Sequence, residues 1–452
     1  MENEITIEVM NVSVDESVCI LGLGYVGLTL SSVLADVGYK VSGVDRDEKL
    51  IKGLLNQKPH FHEKGLEELL KHLSKGPNPP SYVTSLKESY GTVYIITVGT
   101  PILRPSLEPN LNYVRSATAE VGKVIRKGDL VILRSTVPVG TTRTVALPML
   151  EEESGLKAGI DFDIAFCPER TVEGKALKEL RELPQIIGGL NEASAERAAR
   201  LFRKSTNSII DVGSLEAAEM LKIMDNTYRD VMFSYANQMA LLCEALGLDM
   251  VPLVRSANQG YNRNNIPVPS PGVGGACLSK DPYILASVCK KAGVDPSLFL
   301  TGRRINEFMP INVCNRVVAE LNNKGRLIKG ANVLVLGFSF KGKPETSDIR
   351  DSPTLDLIAR LKEMGAVLRG HDPLVPKEEI EALGVKFFEL EEGFNGADVV
   401  IIMINHTLYE EMDIETLLDK VNRPAVVVDG WHLFNSEIFV NIQGVSYLCT
   451  GS

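Results

Sequence analysis

Apolar residues in this chain fall in short runs closed by glycines, and these alternate with stretches whose apolar positions recur at helical spacing. Val18–Leu21 is the first such run, and Gly22, Gly24 and Gly27 follow it directly. A helical stretch then continues to Val37 and ends at Gly38. Lys40–Val44 reads as a second strand, closing on Asp45. Further strands are predicted at 93–98, 130–134 and 163–166, with weaker signals at 185–187 and 208–212. Strands alternating with helices predict a parallel, doubly wound sheet. After Gly213 the pattern changes. Leu215–Leu246 contains no Pro or Gly, is rich in Ala, Met and Leu, and stops at Gly247. It predicts one helix of 32 residues, about 48 Å long at ~1.5 Å per residue. A helix of that length spans two cores or forms a subunit interface. More helices are predicted at 282–292 and 297–323. From Gly330 the first pattern returns, with strands at 332–336, 367–370, 399–404 and 425–428 and a helix at 352–364. His371 and Asp372 close the second of these strands.

The chain therefore reads as α/β, with two Rossmann-like doubly wound domains joined by a long-helix central domain. Its 452 residues suit about three domains. Hydrophobic residues at 44% and charged residues at 23% are ordinary globular usage. A net charge of -10 argues against a general nucleic-acid or membrane-surface binder. It leaves room for small anionic ligands held locally. No stretch approaches the ~18 apolar residues of a membrane helix. The start, MENEITIEVMNVSVDES, is acidic where a secretory signal is basic and then apolar. Seven cysteines, an odd number without close pairing, point to a cytoplasmic protein with reduced thiols. His60 and His62 lack metal-ligand spacing and no zinc motif is present, so no metal is expected.

Gly22-x-Gly24-x-x-Gly27 follows a strand, opens a helix, and meets Asp45 18 positions after Gly27. Gly22 makes the tight turn, Gly24 admits a pyrophosphate to the backbone, and Gly27 lets helix and strand pack closely. Tyr25 and Val26 lie at the helix N-terminus, which favours the phosphate charge. Asp45 can accept from a ribose diol and would repel a 2′-phosphate, which favours NAD over NADP; Arg46 beside it weakens that preference. Val98-Gly99-Thr100-Pro101, at the C-terminal end of a strand, also suits cofactor binding.

The run from Gly272 to Pro282 carries the chemistry. Asp281-Pro282 reads as N-cap and first helical residue. Cys277 lies just upstream, where the helix dipole and Lys280 would favour a thiolate. The nearby glycines would clear space beside the sulfur. The bland alternative is a small buried thiol next to a flexible loop. A dehydrogenase with a nucleophilic cysteine can oxidise an aldehyde through a thioester, which goes beyond simple alcohol oxidation. The other six cysteines read as structural.

At this point the chain resembles the UDP-glucose/GDP-mannose dehydrogenase family, the nucleotide-sugar 6-dehydrogenases. The resemblance runs from about residue 15 onward. It is carried in order by Gly22–Gly27, Val98–Pro101, Ser135-Thr-Val-Pro-Val-Gly-Thr141, Cys167-Pro-Glu-Arg170, Glu219-Met-Leu-Lys222 with Asn226, the Cys277 stretch, Gly337–Lys341, and Ser347–Pro353. The resemblance implies a four-electron oxidation of the C6 hydroxymethyl of a nucleotide-linked hexose to a carboxylate, with two NAD and one water. It implies an N-terminal NAD-binding domain (1–212), a central helical dimerisation domain with the Cys loop (213–325), and a C-terminal nucleotide-sugar-binding domain (326–452). It also implies a homodimer.

By resemblance, Lys222 helps take the alcohol proton or stabilises the oxyanion. Asn226, four residues on and on the same helix face, donates to the same oxygen. Cys277 attacks the aldehyde. Asp281 and Thr136 order the hydrolytic water, and Glu169 is its general base or acid. Ser135, Thr136 and Lys280 join the cofactor contacts. Arg170, Arg263, Gly274, Lys341 and Arg350 join the substrate contacts, with Lys341 and Arg350 as the candidates for the diphosphate surroundings. Plain alternatives stand beside these roles: a solvated Lys222, a capping Glu169, a loop-shaping Thr136, a solvated Arg263, and an internal salt bridge for Arg350.

The UDP-glucose branch typically follows its Pro-Glu with Phe-Leu-Arg-Glu-Gly, whereas Arg170-Thr-Val-Glu-Gly174 stands here. That branch also tends to carry Arg after a C-terminal Asp-Gly, where Trp431 stands here. Both departures favour UDP-N-acetylmannosamine or UDP-N-acetylgalactosamine over UDP-glucose. A two-electron hydroxyacid dehydrogenase of the 6-phosphogluconate type would share the plan without needing Cys277. A non-catalytic NAD-binding protein is the reading from another class.

Overall fold

The computed structural model describes residues 16–89 and 91–452, so residues 1–15 of the acidic start lie outside the described residues. Two sheets flank a helical middle. The first has eight strands in the spatial order Ile209–Asp211, Gln185–Gly189, Asp163–Phe166, Leu130–Leu133, Val93–Ile96, Ser17–Leu21, Lys40–Val44, Ser81–Val83. The second has six, in the order Lys386–Phe387, Val367–His371, Asn332–Leu336, Val399–Ile402, Ala425–Asp429, Val445–Cys449. In both, the first strand in sequence lies inside the sheet, where the winding reverses, and its C-terminal end opens a crevice.

Side-chain alternation builds a core on each face. Val18 and Ile20 pack to one side of the first sheet, Cys19 and Leu21 to the other. Val333 and Val335 oppose Leu334 and Leu336 in the second. A strand buried on both faces is apolar at successive positions, which is why these runs read so clearly.

The first sheet is not wholly parallel: Asp163–Phe166 pairs antiparallel with Gln185–Gly189. The intervening helix, Ala176–Glu182, has only 7 residues and packs on the first helix, Tyr25–Asp36. It does not carry the chain back along the sheet, so the next strand enters from the end where the previous one stopped.

The long helix is Leu215–Leu246, 32 residues, the span expected from the pattern. Ser214 caps it by accepting from Ala217 N, and Gly247 ends it in the left-handed region at φ +66. It packs on Ser297–Asn323, on Asp281–Lys291 and on the strand Gln185–Gly189. That last contact is tight: a Cβ on Gly188 would lie 2.0 Å from Ser214 O. No helix among the described residues is long and apolar enough to cross a membrane.

Candidate functional site

The cofactor crevice forms where Ser17–Leu21 ends. Gly22 sits at φ +92, which only glycine adopts without strain. A Cβ on Gly27 would come within 1.9 Å of Gly22 O, whereas one on Gly24 would meet nothing within 4 Å. The three glycines thus turn, open and pack, in that order. The helix Tyr25–Asp36 has no side chain capping its N-terminus. The amides of Tyr25, Val26 and Gly27 are accordingly left for an anion. The crevice holds about 360 Å³ and is lined by Gly22, Gly24, Asp45, Arg46, Gly99 and Tyr113, among others. Asp45 accepts from Leu23 N at 2.7 Å and from Asp47 N at 3.0 Å, and stays half-buried at the rim. Arg46 is paired with Glu120 and donates to Ser116 Oγ at 2.7 Å, so its charge is already engaged. These residues fit a dinucleotide.

The second sheet shows the contrast. Asp372 holds the place of Asp45 but accepts four backbone amides, from Phe338, Ser339, Leu374 and Val375, and is buried. It has no capacity left for a ribose.

Thr100, Ser135 and Pro101 also brace the crevice. Thr100 Oγ1 donates to Thr136 O at 2.6 Å and Ser135 Oγ to Val98 O at 2.6 Å, both from buried positions. Pro101 O accepts Asn110 N. The Tyr25 side chain turns away from the crevice: its hydroxyl bonds to Glu63 and accepts Gly174 N. Lys280 Nζ lies 2.7 Å from Asp281 Oδ1.

The reactive cluster lies where the three parts of the chain meet. Along one face of the long helix stand Glu219, Lys222, Asn226 and Asp230, all buried. Glu219 accepts from Gly140 N, Thr142 N and Thr142 Oγ1 at 2.5–2.7 Å, tying down the loop that holds Thr136. Asn226 Nδ2 donates to Asp281 Oδ2 at 2.6 Å. Lys222 makes no hydrogen bond or ion pair among the described residues, yet its charge acts on both Glu169 and Cys277. Thr136 is half-buried, with its hydroxyl likewise unbonded among the described residues.

Cys277 is exposed, yet its surroundings disfavour the thiolate. Desolvation is the largest influence on the thiol and Asp281 the next; together they outweigh Lys222 and Lys280 and push it above its ordinary range. The expected resting thiolate is therefore not what the site favours. The helix behind it starts one residue earlier than expected, with Asp281 inside the first turn and Lys280 at the cap.

The loop glycines serve packing more than space beside the sulfur. A Cβ on Gly274 would lie 2.1 Å from Asp351 O, and one on Gly275 2.6 Å from the Phe340 ring. The loop is thus seated against the C-terminal sheet's own loops, and Gly274 faces Asp351 there.

Glu169 is buried against Arg134, and Oε1 accepts Arg170 N and Thr171 N at 2.8 Å. Burial alone would raise its carboxyl, but Arg134, the Thr171 amide and Lys222 together hold it below the usual range. An ionised Glu169 can serve as a base. Arg170 reaches Pro184 O and Asp225. Arg263 is exposed, its guanidinium 5.6 Å from the centre of the Tyr261 ring. Lys341 Nζ donates to Glu173 O at 2.7 Å, and burial lowers its amine to about 8. Arg350 pairs with Asp348 and lies 3.6 Å from Glu173 Oε1. Glu173, Lys341 and Arg350 thereby bridge the first and last parts of the chain.

The sequence assigned no role to Arg134, Glu219, Asp230 or Arg303. Each is charged and fully or nearly buried; only Arg134, closing the apolar run 130–133, stood out in the sequence as a charge against an apolar run.

Comparison with known proteins agrees with this organisation. Residues 16–206 match the NAD binding domain of the UDP-glucose/GDP-mannose dehydrogenase family, 216–308 its central domain, and 334–436 its UDP binding domain. The chain is 33% identical over 417 residues to a UDP-N-acetyl-D-mannosamine dehydrogenase of Methanococcus maripaludis, covering 91% of this chain and 92% of the relative. It is 30% identical over 417 residues to an NDP-N-acetyl-D-galactosaminuronic acid dehydrogenase of Ralstonia solanacearum, covering 90% and 94%. The solved structure of a UDP-D-ManNAc dehydrogenase from Pyrococcus horikoshii superposes with a TM-score of 0.86 at 32% identity, covering 96% of this chain and 99% of that one. The chain belongs to the UDP-glucose/GDP-mannose dehydrogenase family and is an NAD-dependent nucleotide-sugar dehydrogenase.

Proposed function

We propose that the protein oxidises the C6 hydroxymethyl of a UDP-N-acetylhexosamine, UDP-N-acetylmannosamine or UDP-N-acetylgalactosamine, to the uronate. The observation that carries the reading is Lys222, buried and unpaired among the described residues, acting on both Cys277 and Glu169. Bound NAD supplies the hydride acceptor for each of two oxidations; one water supplies the second carboxylate oxygen. Lys222 stabilises the alcohol oxygen as its proton leaves. Its charge also favours loss of the Cys277 proton, which the buried setting otherwise disfavours. Cys277 then adds to the aldehyde carbon, and oxidation of that adduct leaves a thioester on its sulfur. Glu169, held ionised, takes a proton from the water that opens the thioester. The unbonded hydroxyl of Thr136 orients that water. Asp281, 0% exposed with both oxygens bonded, acts through Asn226 and Lys280.

Trp431 supports a hexosamine over glucose. Its one donor, Nε1, is used on Met403 O at 2.9 Å, so it cannot replace an arginine facing sugar hydroxyls. The relatives named for N-acetylhexosamine substrates point the same way. The test is a panel of UDP- and GDP-sugars with NAD, read at the nicotinamide absorbance. About two NADH per UDP-N-acetylhexosamine with a uronate product supports the proposal, and one NADH rejects it. Cys277→Ser should abolish uronate formation; full retained activity would remove the nucleophile.

A homodimer built on the long helix completes the reading. Met220, Met224, Tyr228, Tyr235, Leu242 and Leu246 are exposed along it at helical spacing. Light scattering of the full chain should give twice 49.4 kDa. All seven cysteines are free, which suits the reducing cytoplasm.

A further inference from the structure

We propose that Arg303 is a positioning residue for the nucleophile, and that with Asp230 it forms a buried clamp on both ends of the Cys277 loop; the inference rests on the reading of Cys277 given above. Arg303 stands on the helix Ser297–Asn323 and is 2% exposed. One terminal nitrogen donates to Val273 O at 2.6 Å. The other donates to Leu278 O at 3.1 Å and to Asp230 Oδ1 at 2.6 Å. Nε donates to Glu307 Oε1 at 3.2 Å. The two carbonyls bracket Cys277, one before it and one after.

Asp230 is 0% exposed and lies one helical turn beyond Asn226 on the long helix. Its Oδ1 also accepts Asn306 Nδ2 at 2.8 Å, while its Oδ2 has no partner among the described residues. A buried carboxylate with an empty oxygen is costly, and the guanidinium is what keeps it tolerable. The arrangement needs arginine, because only a planar fork reaches two carbonyls and two carboxylates at once; an ammonium is a single point of charge.

The loop needs such a clamp. Gly272, Gly274 and Gly275 lie within six residues of Cys277 and give its backbone wide freedom. Gly275 N→Asp351 O at 3.2 Å and Ser279 Oγ→Asp351 Oδ2 at 2.8 Å hold it from the C-terminal side. Arg303 holds it from the central helices. A misplacement of about 1 Å at a nucleophile can lower its rate on the order of a hundredfold.

The test uses the full chain with NAD and UDP-N-acetylmannosamine, and follows iodoacetamide alkylation of Cys277 by peptide mass. Arg303→Met should lower kcat at least tenfold and change the alkylation rate several-fold, with NAD affinity by calorimetry kept within twofold. Arg303→Lys should recover part of the loss. Turnover and alkylation both within twofold of the native chain overturn the proposal. If Arg303→Met does not fold, Asp230→Asn decides: a fivefold or greater loss of kcat with NAD binding kept supports the clamp, and activity within twofold overturns it. Full activity in Cys277→Ser would instead remove the nucleophile, while the alkylation readout would still report whether Arg303 shapes the loop.

Discussion

Asn226 Nδ2 lies 2.6 Å from Asp281 Oδ2, and this bond joins the long helix to the first turn of the helix behind the nucleophile. Both side chains are buried, so water cannot replace either partner. The carboxylate sits at a helix N-terminus, where the dipole favours its charge, and Lys280 satisfies its other oxygen.

Asn226→Ala leaves Asp281 with half its partners in a dry site. The unfolding free energy should fall by about 1–3 kcal/mol, read from urea midpoints, with uronate formation lost alongside. A midpoint unchanged from the native chain would mean that Asp281 finds another donor.

The second prediction concerns cofactor choice. Arg46 beside Asp45 would suit a 2′-phosphate, but Glu120 holds it. Glu120→Ala should release that charge and raise kcat/KM with NADP several-fold, leaving NAD use nearly unchanged. No gain with NADP would show that Asp45 alone sets the preference.

Gly27→Ala forces a Cβ to within 1.9 Å of Gly22 O. Overpacking of this kind costs typically about 1–3 kcal/mol, and here the strain falls on the turn that faces the pyrophosphate. Calorimetry should show NAD binding lost in a chain whose far-ultraviolet spectrum stays native. Unchanged NAD affinity would contradict the assigned crevice.

Arg134→Met strands Glu169 as a buried charge. Breaking such a pair costs roughly 3–5 kcal/mol. The double variant Arg134→Met/Glu169→Leu should recover much of that stability while remaining inactive. A single variant as stable as the native chain would show that the pair is not isolated from water.

Glu173 sets a pH dependence. Burial, then the charge of Asp348, raises its carboxyl from about 4.5 to about 7 against the pull of Arg350 and Lys341. The folded chain therefore favours the protonated form. The stability from this group is full below pH 4.5 and is lost as pH rises through about 7. Glu173→Gln should match the native melting temperature at pH 4.5 and exceed it by a few degrees at pH 8. Equal melting temperatures at both pH values would reject the assignment.

Much of the fold was legible because its signals are local. Leu215–Leu246 has a cap, a glycine stop and no breaker between them, so pattern alone fixes it. The strands Ser81–Val83 and Val445–Cys449 were missed. The first is 3 residues long and the second is half-buried along most of its length, so neither makes a clear apolar run. The candidate residues came through resemblance and proximity to glycines, but their geometry depends on partners far along the chain. Cys277 takes its seat from Phe340, Asp351 and Arg303, and Glu169 its charge from Arg134. No window of sequence holds both members of those contacts, and the thiol is raised first by the protein packed around it, so neither the raised thiol nor the lowered carboxyl was visible there.

The long helix gives the site a property beyond placement. Glu219, Lys222, Asn226 and Asp230 share one rod, and each governs a different neighbour: the 140–142 loop, the nucleophile, Asp281 and Arg303. Spacings between the four are set by the pitch of one helix, so a substitution that shifts the helix axis changes the hold on the loop, the nucleophile, Asp281 and Arg303 together.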